Sequence, residues 1–367
     1  MPTDAFPEIG PLIAAAKADG IDARAVLARV ITDLFVSRNP HTEAELVQFV
    51  ALIEPLIRAI DTQAAIPVAR KLALHADTPR SVIESLLVRD DEASLETLRH
   101  AVSLDLRMLD ILAERGARLV GLAIASRARL AETTARILVA RNEPAINRAL
   151  ARPREPGLPG DVTSLLVSRA HEDAELATRL LSLPDLPFRE RCSLFLEADP
   201  QQRLVIAAEA HRRAFLTRAR PSPFMREDID QTLLGLCGAG HARLAEALAG
   251  LLGLGAAEAM AIVTDATGEA LVLAFRACGA RPEPIGALML ARGLHLSRSV
   301  ERIFALDRLA RETSGAAAAA VVQAFAETRK RPVRQAPAQA GPRETERGER
   351  QRVDTVQPAY KRREVKR

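Results

Sequence analysis

Four arginines offer the clearest chemistry in this 367-residue sequence, because they recur at one position of a repeated pattern. Each closes a Leu-x-x-Arg run, and the runs follow one another at spacings of 26, 26 and 28 residues; the four are Arg89, Arg115, Arg141 and Arg169. A guanidinium group binds carboxylates and phosphates through two parallel hydrogen bonds. If successive runs stack on one another, the arginines form a ladder along one face. The spacing therefore predicts a surface that holds an acidic partner or a phosphate group.

The same arginine ladder also has a structural interpretation. Each arginine lies near the predicted end of a helix, where exposed carbonyl oxygens and the negative end of the helix dipole stabilise a cation. Acidic residues stand nearby in the sequence and offer ion-pair partners: Asp90, Asp91, Glu114 and Glu143. The sequence favours this structural interpretation and leaves anion binding open.

A second basic group lies between residues 203 and 226. Its members are Arg203, His211, Arg212, Arg213, Arg218, Arg220 and Arg226. We consider contact with nucleic acid, an anionic membrane face or an acidic protein, with Arg212 and Arg213 as the candidate contact residues. Acidic residues flank the group, and only Phe215 and Phe224 offer a ring on which a base could stack. A solvated helix face is therefore the favoured interpretation.

No catalytic or metal-binding signature stands out in the sequence. The seven histidines form no HExxH motif and no pair with metal-ligand spacing, and we predict scattered surface residues: His41, His75, His100, His171, His211, His241 and His295. The compact run His171-Glu172-Asp173 is predicted to be a solvated loop. Nucleophile-elbow, P-loop and dinucleotide-binding motifs are missing as well. The sequence therefore predicts no enzyme activity, no catalytic residue, no metal site and no cofactor.

The cysteines and the first residues of the sequence indicate the cellular compartment. Cys192, Cys237 and Cys278 lie far apart and form neither a CxxC pair nor a disulfide framework, so we expect buried thiols in a reducing compartment. The most apolar window, residues 245–263, contains two glutamates and several glycines, which predicts no transmembrane segment. No targeting signal is visible at the start of the sequence. We therefore predict a cytoplasmic location.

The composition predicts a helical protein. With 48% hydrophobic, 27% charged and only 3% aromatic residues, the core must consist of Leu, Ala, Val and Ile, as in stacked helices rather than sheets. The net charge of +4 is unevenly distributed, because residues 329–367 carry 13 basic and 5 acidic side chains. The remainder is net negative, which argues against a nucleic-acid-binding core. The basic tail lacks core-forming residues and is predicted to be disordered.

A helical repeat organises the first half of the chain. Leu72, Leu98, Ile124 and Leu150 are 26 residues apart and lie one helix before the arginines. Each unit of about 26 residues is therefore a short helix, a turn and a second helix, and such units must stack into a solenoid to bury both helices. The predicted all-α fold has an N-terminal cap, a HEAT-like repeat solenoid, a helical subdomain with seven helices and a tail: residues 1–65, 66–220, 227–328 and 329–367.

Helix starts carry recognisable capping residues ahead of the apolar stripes. The predicted N-caps are Thr42 with Glu45 in a capping box, Thr78-Pro79, Asp105, Asp161 and Asp199-Pro200. Pro79 is expected at the first helical position, where its missing amide hydrogen has no cost.

Several short runs in the first half of the chain carry a resemblance to a known family. They are Val68-Ala69-Arg70-Lys71-Leu72-Ala73, Thr78-Pro79-Arg80-Ser81-Val82, Leu86-Leu87-Val88-Arg89-Asp90-Asp91-Glu92 and the later Leu-Val-x-Arg endings. On these runs, residues 66 to about 200 resemble an uncharacterised alphaproteobacterial domain-of-unknown-function family of HEAT-like helical repeat proteins. The resemblance implies an α-solenoid and supplies no catalytic residues. Glu197, where a fifth unit would have its arginine, and the Pro-rich insertion at residues 153–160 depart from the pattern.

These features together predict a non-enzymatic protein–protein interaction scaffold. Its stacked helices would present an extended surface to a protein or peptide partner, with the basic tail as a second contact. The alternative is a nucleic-acid-associated HEAT-like protein that holds a phosphate backbone through the arginine ladder and the tail.

Overall fold

A computed structural model describes residues 23–217, 228–292 and 299–330, with side chains as far as residue 325 in the last helix. These ranges contain twenty α-helices and no β-strand, so the described chain is all-α. In chain order the helices are α1 (Ala23–Val36), α2 (Glu43–Ala59), α3 (Thr62–Leu74), α4 (Arg80–Leu87), α5 (Glu92–His100), α6 (Leu106–Arg115), α7 (Arg118–Ala125), α8 (Glu132–Ala140), α9 (Pro144–Leu150), α10 (Gly160–Ala170), α11 (Ala174–Leu181), α12 (Phe188–Ser193), α13 (Pro200–Leu216), α14 (Ile229–Gly238), α15 (His241–Leu252), α16 (Ala256–Thr264), α17 (Glu269–Ala277), α18 (Ile285–Ala291), α19 (Val300–Glu312) and α20 (Gly315–Lys330). No one of these helices has both the length and the apolar character needed to span a membrane. Residues 331–367 of the predicted tail lie outside the described residues, as do Arg218, Arg220, Phe224, Arg226 and His295.

Several helices begin with the predicted capping chemistry. Thr42 and Glu45 form the capping box of α2: the Thr42 hydroxyl accepts from the Glu45 amide at 3.3 Å, and the Glu45 carboxylate accepts from the Thr42 amide at 2.8 Å. Asp105 caps α6, and Asp199 caps α13 with Pro200 in the first turn. These three caps are confirmed, because a helix start depends mainly on the residues next to it.

Two predicted caps are wrong. Pro79 precedes α4 as its N-cap, and the Thr78 hydroxyl donates to the carbonyl oxygen of Leu72 at 2.7 Å. Asp161 lies inside the first turn of α10, and its carboxylate accepts from Arg136 of α8 at 2.7 Å. In both cases the polar side chain bonds a neighbouring helix instead of capping its own.

The first twelve helices alternate between two rows. In one row, α1, α3, α5, α7, α9 and α11 pack in that order, each against the next. In the other row, α2 packs against α4, and α6, α8, α10 and α12 pack in order. The helices α4 and α6 do not pack closely against each other, so the second row is interrupted between them.

The buried apolar core divides near the same place. One cluster of buried side chains extends from Ala28 in α1 to Ala93 in α5, and the main cluster begins at Leu98 in α5 and extends to Phe325. A small third cluster contains Ala73, Ile83 and Ala101. Buried side chains of the first and main clusters therefore divide within α5, while the half-buried Leu87 and Leu104 contact both the third and the main cluster.

The C-terminal half contains the seven helices that the sequence predicts between residues 227 and 328, here α14–α20. Gly253 ends α15 in the left-handed region, with φ 66°, a conformation that a residue without a Cβ adopts freely. The last helix, α20, packs against α10, α12, α13, α16 and α17. It therefore joins the second row of the first half to the C-terminal helices.

Candidate functional site

Three of the four ladder arginines lie against the backbone of the preceding helix of the same row. Arg141, which follows α8, donates from Nη1 to the carbonyl oxygens of Ala113 and Gly116 at the end of α6, at 2.9 and 3.0 Å. Its other nitrogens bond the Glu143 carboxylate at 2.6 and 2.8 Å. The guanidinium thus satisfies carbonyls that the end of α6 leaves without partners.

Two further ladder arginines repeat this arrangement. Arg89 donates to the carbonyls of Ile57 and Ile60 at the end of α2, and Arg169 donates to the carbonyl of Val139 at 2.7 Å, near the end of α8. In the other row, Arg127 donates to the carbonyls of Leu98 and Ala101 at 2.5 and 2.6 Å, and Arg154 to that of Ala125 at 3.1 Å. Arginines therefore tie successive helices of both rows together by capping the earlier helix.

Burial lowers the pKa of three of these guanidinium groups, because a charged group loses solvation inside the protein. The effect is seen at Arg127 and Arg169, and it lowers the pKa of Arg154 to about 10, with Arg152 adding a repulsive charge. Each of these three guanidinium groups donates to at least one backbone carbonyl oxygen of an earlier helix. Such arginines contribute to the packing of the helices and are poorly placed to meet an anion in solvent.

The remaining candidate contact residues are solvated. The Arg115 side chain is 80% exposed and lies 3.9 Å from Glu114, so it does not cap α4. Arg212 is exposed on α13. Arg213 pairs with Glu209 at 2.8 Å and lies over the ring of Phe188. Of the six candidates, three are held by backbone carbonyls and three remain on the surface.

Replacing Arg141 with methionine is expected to lower the free energy of unfolding by about 1.5–3 kcal/mol, since it removes charge-assisted hydrogen bonds to the end of α6. The matched control is Arg115→Met at the equivalent position, where the exposed side chain makes no such bond. That change is expected to stay within about 0.5 kcal/mol. Urea unfolding followed by circular dichroism measures both, and equal losses would contradict the capping role.

Large apolar side chains are exposed in the segment of the chain that contains α4 and α6. Between residues 74 and 119, six such side chains are more than half exposed: Leu74, Val88, Val102, Leu106, Ile111 and Leu119. Val88, at the end of α4, is 83% exposed, and Ile111, within α6, is 56% exposed. The helices α4 and α6, which border the interruption, thus both leave apolar side chains in solvent.

Two histidines and an aspartate meet where two loops approach each other. His41 lies in the loop between α1 and α2, while His75 ends α3 and Asp77 follows it in the next loop. One nitrogen or oxygen atom of each side chain lies within 4.8 Å of the other two. The His41 side chain is 4% exposed and that of Asp77 is 33% exposed. The group is therefore buried on one side and reachable from solvent through Asp77.

Aromatic rings and hydrogen bonds fix the orientation of His41. Its Nε2 lies 2.9 Å from the carbonyl oxygen of Phe35, and its Nδ1 lies 3.2 Å from Oδ2 of Asp77. The ring stacks on Phe35 at 4.1 Å, and Phe35 stacks in turn on Phe49 at 3.8 Å. The His75 ring stands edge-on to His41 at 5.5 Å, and its buried Nδ1 has no hydrogen-bond partner among the described residues.

The expectation that the histidines are scattered surface residues fails for His41 and for His171. The His171 side chain is 7% exposed, and its Nδ1 lies 2.9 Å from Oε1 of Glu197, so His171 is not part of a solvated loop. Glu197 occupies the position where a fifth unit would carry its arginine. A histidine–glutamate pair therefore links the end of α10 to the chain that follows α12.

All three cysteines are free and buried, as expected. Burial raises the pKa of Cys192 and Cys278 to about 12 and that of Cys237 to about 11. Because the thiolate is the reactive form, these groups are poor nucleophiles and poor metal ligands near neutral pH.

Arg203 is also buried, although the sequence places it in a surface basic group. Its side chain is 5% exposed and contacts Asp265 and Glu269, which are 7% and 4% exposed. Part of the predicted basic surface is thus an internal ion-pair network.

Comparisons with protein-family models, with curated proteins and with solved structures find no match to this chain. The function is therefore inferred from the geometry of the chain's own residues.

Proposed function

We propose that the protein is a non-enzymatic scaffold, an α-solenoid of short HEAT-like repeats that binds a protein partner. The support comes from helix pairs that recur in the first half and pack in two rows, and from arginines that cap one unit from the next. Repeated units that contact mainly their neighbours are typical of solenoids, which use their long surfaces for binding.

The observation that carries the proposal is the interruption between α4 and α6. Val88 and Ile111 are exposed on the two helices that border it, and the buried core divides at α5. Contiguous exposed apolar side chains on a protein surface commonly mark an interaction site. We place the partner's apolar segment here, in contact with α4 and α6.

The alternative, binding of a phosphate backbone, receives less support from the described residues. It requires free guanidinium groups along the ladder, whereas Arg89, Arg141 and Arg169 already bond backbone carbonyls. Arg115 alone among the four extends into solvent. Phosphate binding then depends on the basic residues 329–367, and it predicts strong sensitivity to salt.

A site-specific photo-crosslinking experiment tests the scaffold. The full chain carries a benzophenone amino acid at Val88 or at Ile111, and at Ala242 as the control, because Ala242 is exposed on the remote helix α15. Crosslinking is done in lysate of the source cells, with and without nuclease, and adducts are identified by mass spectrometry. The proposal expects the same protein adduct from residues 88 and 111 after nuclease treatment, and none from residue 242.

The partner found in this way is then purified and bound to the protein in defined solution. Val88→Asp and Ile111→Asp place charges at side chains that are exposed in the free protein, so the fold is retained. We expect each to weaken binding at least tenfold, since a buried unpaired charge is costly at an interface. Adducts that disappear with nuclease, or that form equally at residue 242, would contradict the proposal.

A further inference from the structure

The hydrogen-bond partners of His41 determine which of its ring nitrogens carries a hydrogen. The Phe35 carbonyl can only accept a hydrogen bond, so Nε2 of His41 carries a hydrogen. In a neutral ring the hydrogen is then absent from Nδ1, which turns its lone pair towards the Asp77 carboxylate at 3.2 Å. Two electron-rich atoms at this distance repel each other unless a cation lies between them. That cation is either a proton on His41 or a metal ion.

His75 distinguishes these two cations. A proton on Nδ1 of His41 pairs that ring with Asp77 and leaves the buried Nδ1 of His75 without a partner. An unpartnered buried polar atom destabilises the folded protein. A metal ion can bind all three side chains at once, because His41, His75 and Asp77 each offer one ligand atom within 4.8 Å of the other two.

The geometry also fits the known requirements of a metal site. The 3.2 Å between Nδ1 of His41 and Oδ2 of Asp77 is close to the edge of a tetrahedron with bonds of about 2.0 Å, roughly 3.3 Å. A histidine ligand commonly donates its second ring N–H to a backbone carbonyl, as Nε2 of His41 does to Phe35. The loop that carries His75 and Asp77 is held by the bond from the Thr78 hydroxyl to the carbonyl of Leu72.

The donor atoms select the class of metal. Two imidazole nitrogens and one carboxylate oxygen suit divalent transition metals such as Zn²⁺, whereas Mg²⁺ and Ca²⁺ prefer oxygen ligands alone. Three protein ligands leave at least one coordination position for water. The partly exposed Asp77 provides the path of entry from solvent.

We propose that His41, His75 and Asp77 bind one divalent transition-metal ion, with Zn²⁺ as the fitting ion, and that the ion links the α1–α2 loop to the α3–α4 loop. The site is independent of the partner surface between α4 and α6. It would tie together the first four helices, which share one apolar cluster.

The test is a titration of the full-length, chelator-treated protein with Zn²⁺ by calorimetry, and with Co²⁺ by visible absorption. The test variants are Asp77→Asn and His75→Gln, and the matched controls are His100→Gln and His241→Gln, which remove a histidine outside the cluster. We expect one Zn²⁺ per chain, affinity at least tenfold weaker in both test variants and unchanged in both controls. Zn²⁺ should also raise the melting temperature of the unmodified protein, and Mg²⁺ should not.

Several results would overturn the metal site. One is the absence of stoichiometric Zn²⁺ binding; another is binding that the two test variants do not weaken, which would locate the ion on surface histidines. A third is an imidazolium at His41, detected by nuclear magnetic resonance in protein that binds no Zn²⁺. That result would show that a proton, and not a metal ion, bridges His41 and Asp77.

Discussion

Replacing Arg203 with methionine is expected to lower the free energy of unfolding by about 3–5 kcal/mol, because it leaves the buried Asp265 carboxylate without its cation and Glu269 with Arg302 alone. Nη1 of Arg203 lies 3.0 Å from Asp265 and 3.3 Å from Glu269, and the three side chains are between 4% and 7% exposed. Taking one partner from such a group removes the attraction and keeps the desolvation cost of the others. Methionine retains most of the packing volume, so the loss reports mainly on charge.

The arginine also joins separate parts of the chain. Its Nε and Nη2 donate to the carbonyls of Ala198 and Leu196 at 3.0 and 2.6 Å, next to the start of α13. The Glu269 carboxylate reaches on to Arg302 of α19 at 3.0 Å. Loss of Arg203 therefore weakens the contact of α13 with both α17 and α19.

Urea unfolding of the unmodified protein and of three variants measures the contribution of Arg203 to the free energy of unfolding. The matched control is Arg80→Met, because the Arg80 side chain is 68% exposed and pairs at 2.8 Å with Glu84, which is 47% exposed. Exposed ion pairs contribute less than about 1 kcal/mol. The double change Arg203→Met with Asp265→Asn should recover part of the loss, since it removes the carboxylate charge that Arg203→Met leaves without a cation. A loss at Arg203 no larger than at Arg80 would show that water compensates the Asp265 carboxylate.

The positions of the helices could be predicted from the sequence, because the residues that start and end a helix lie next to it in the chain. The seven helices predicted between residues 227 and 328 are all present, among them α15 (His241–Leu252) and α16 (Ala256–Thr264). Apolar residues at helical spacing mark the helix, and glycine, proline or an N-cap residue marks its end. The two failed caps, at Thr78 and Asp161, are positions where a side chain bonds another helix.

The roles of the polar side chains could not be predicted from their neighbours in the sequence. Arg141 bonds Ala113 and Gly116, residues 28 and 25 positions earlier, and only the packed structure brings those carbonyls within reach. His41 and His75 lie in different loops, with no motif spacing between them, and they meet because α1 packs against α3. The charge pattern of a helix face does not show whether that face is solvated or buried. The sequence therefore predicts a surface position for Arg203, which the structure places in the interior.

The division between the first and the main apolar cluster leads to a prediction about local unfolding. Replacing Phe49 with alanine is expected to destabilise the first four helices by about 3–5 kcal/mol, because it removes a fully buried ring and leaves a cavity. Phe49 is 0% exposed and stacks on Phe35, which supports the His41 ring. Its cluster ends at Ala93, and the main cluster begins at Leu98. The damage should therefore remain largely on one side of α5.

Amide hydrogen exchange read by mass spectrometry locates the damage, because it reports local opening segment by segment. In Phe49→Ala, protection should fall across α1–α4 and persist in α8–α20. The matched control is Phe275→Ala, since Phe275 of α17 is equally buried but belongs to the main cluster. That variant should lose protection in the C-terminal helices and keep it in α1–α4. A uniform loss in both variants would mean that α5 transmits unfolding across the division, so that the described chain unfolds as one cooperative unit despite its divided core.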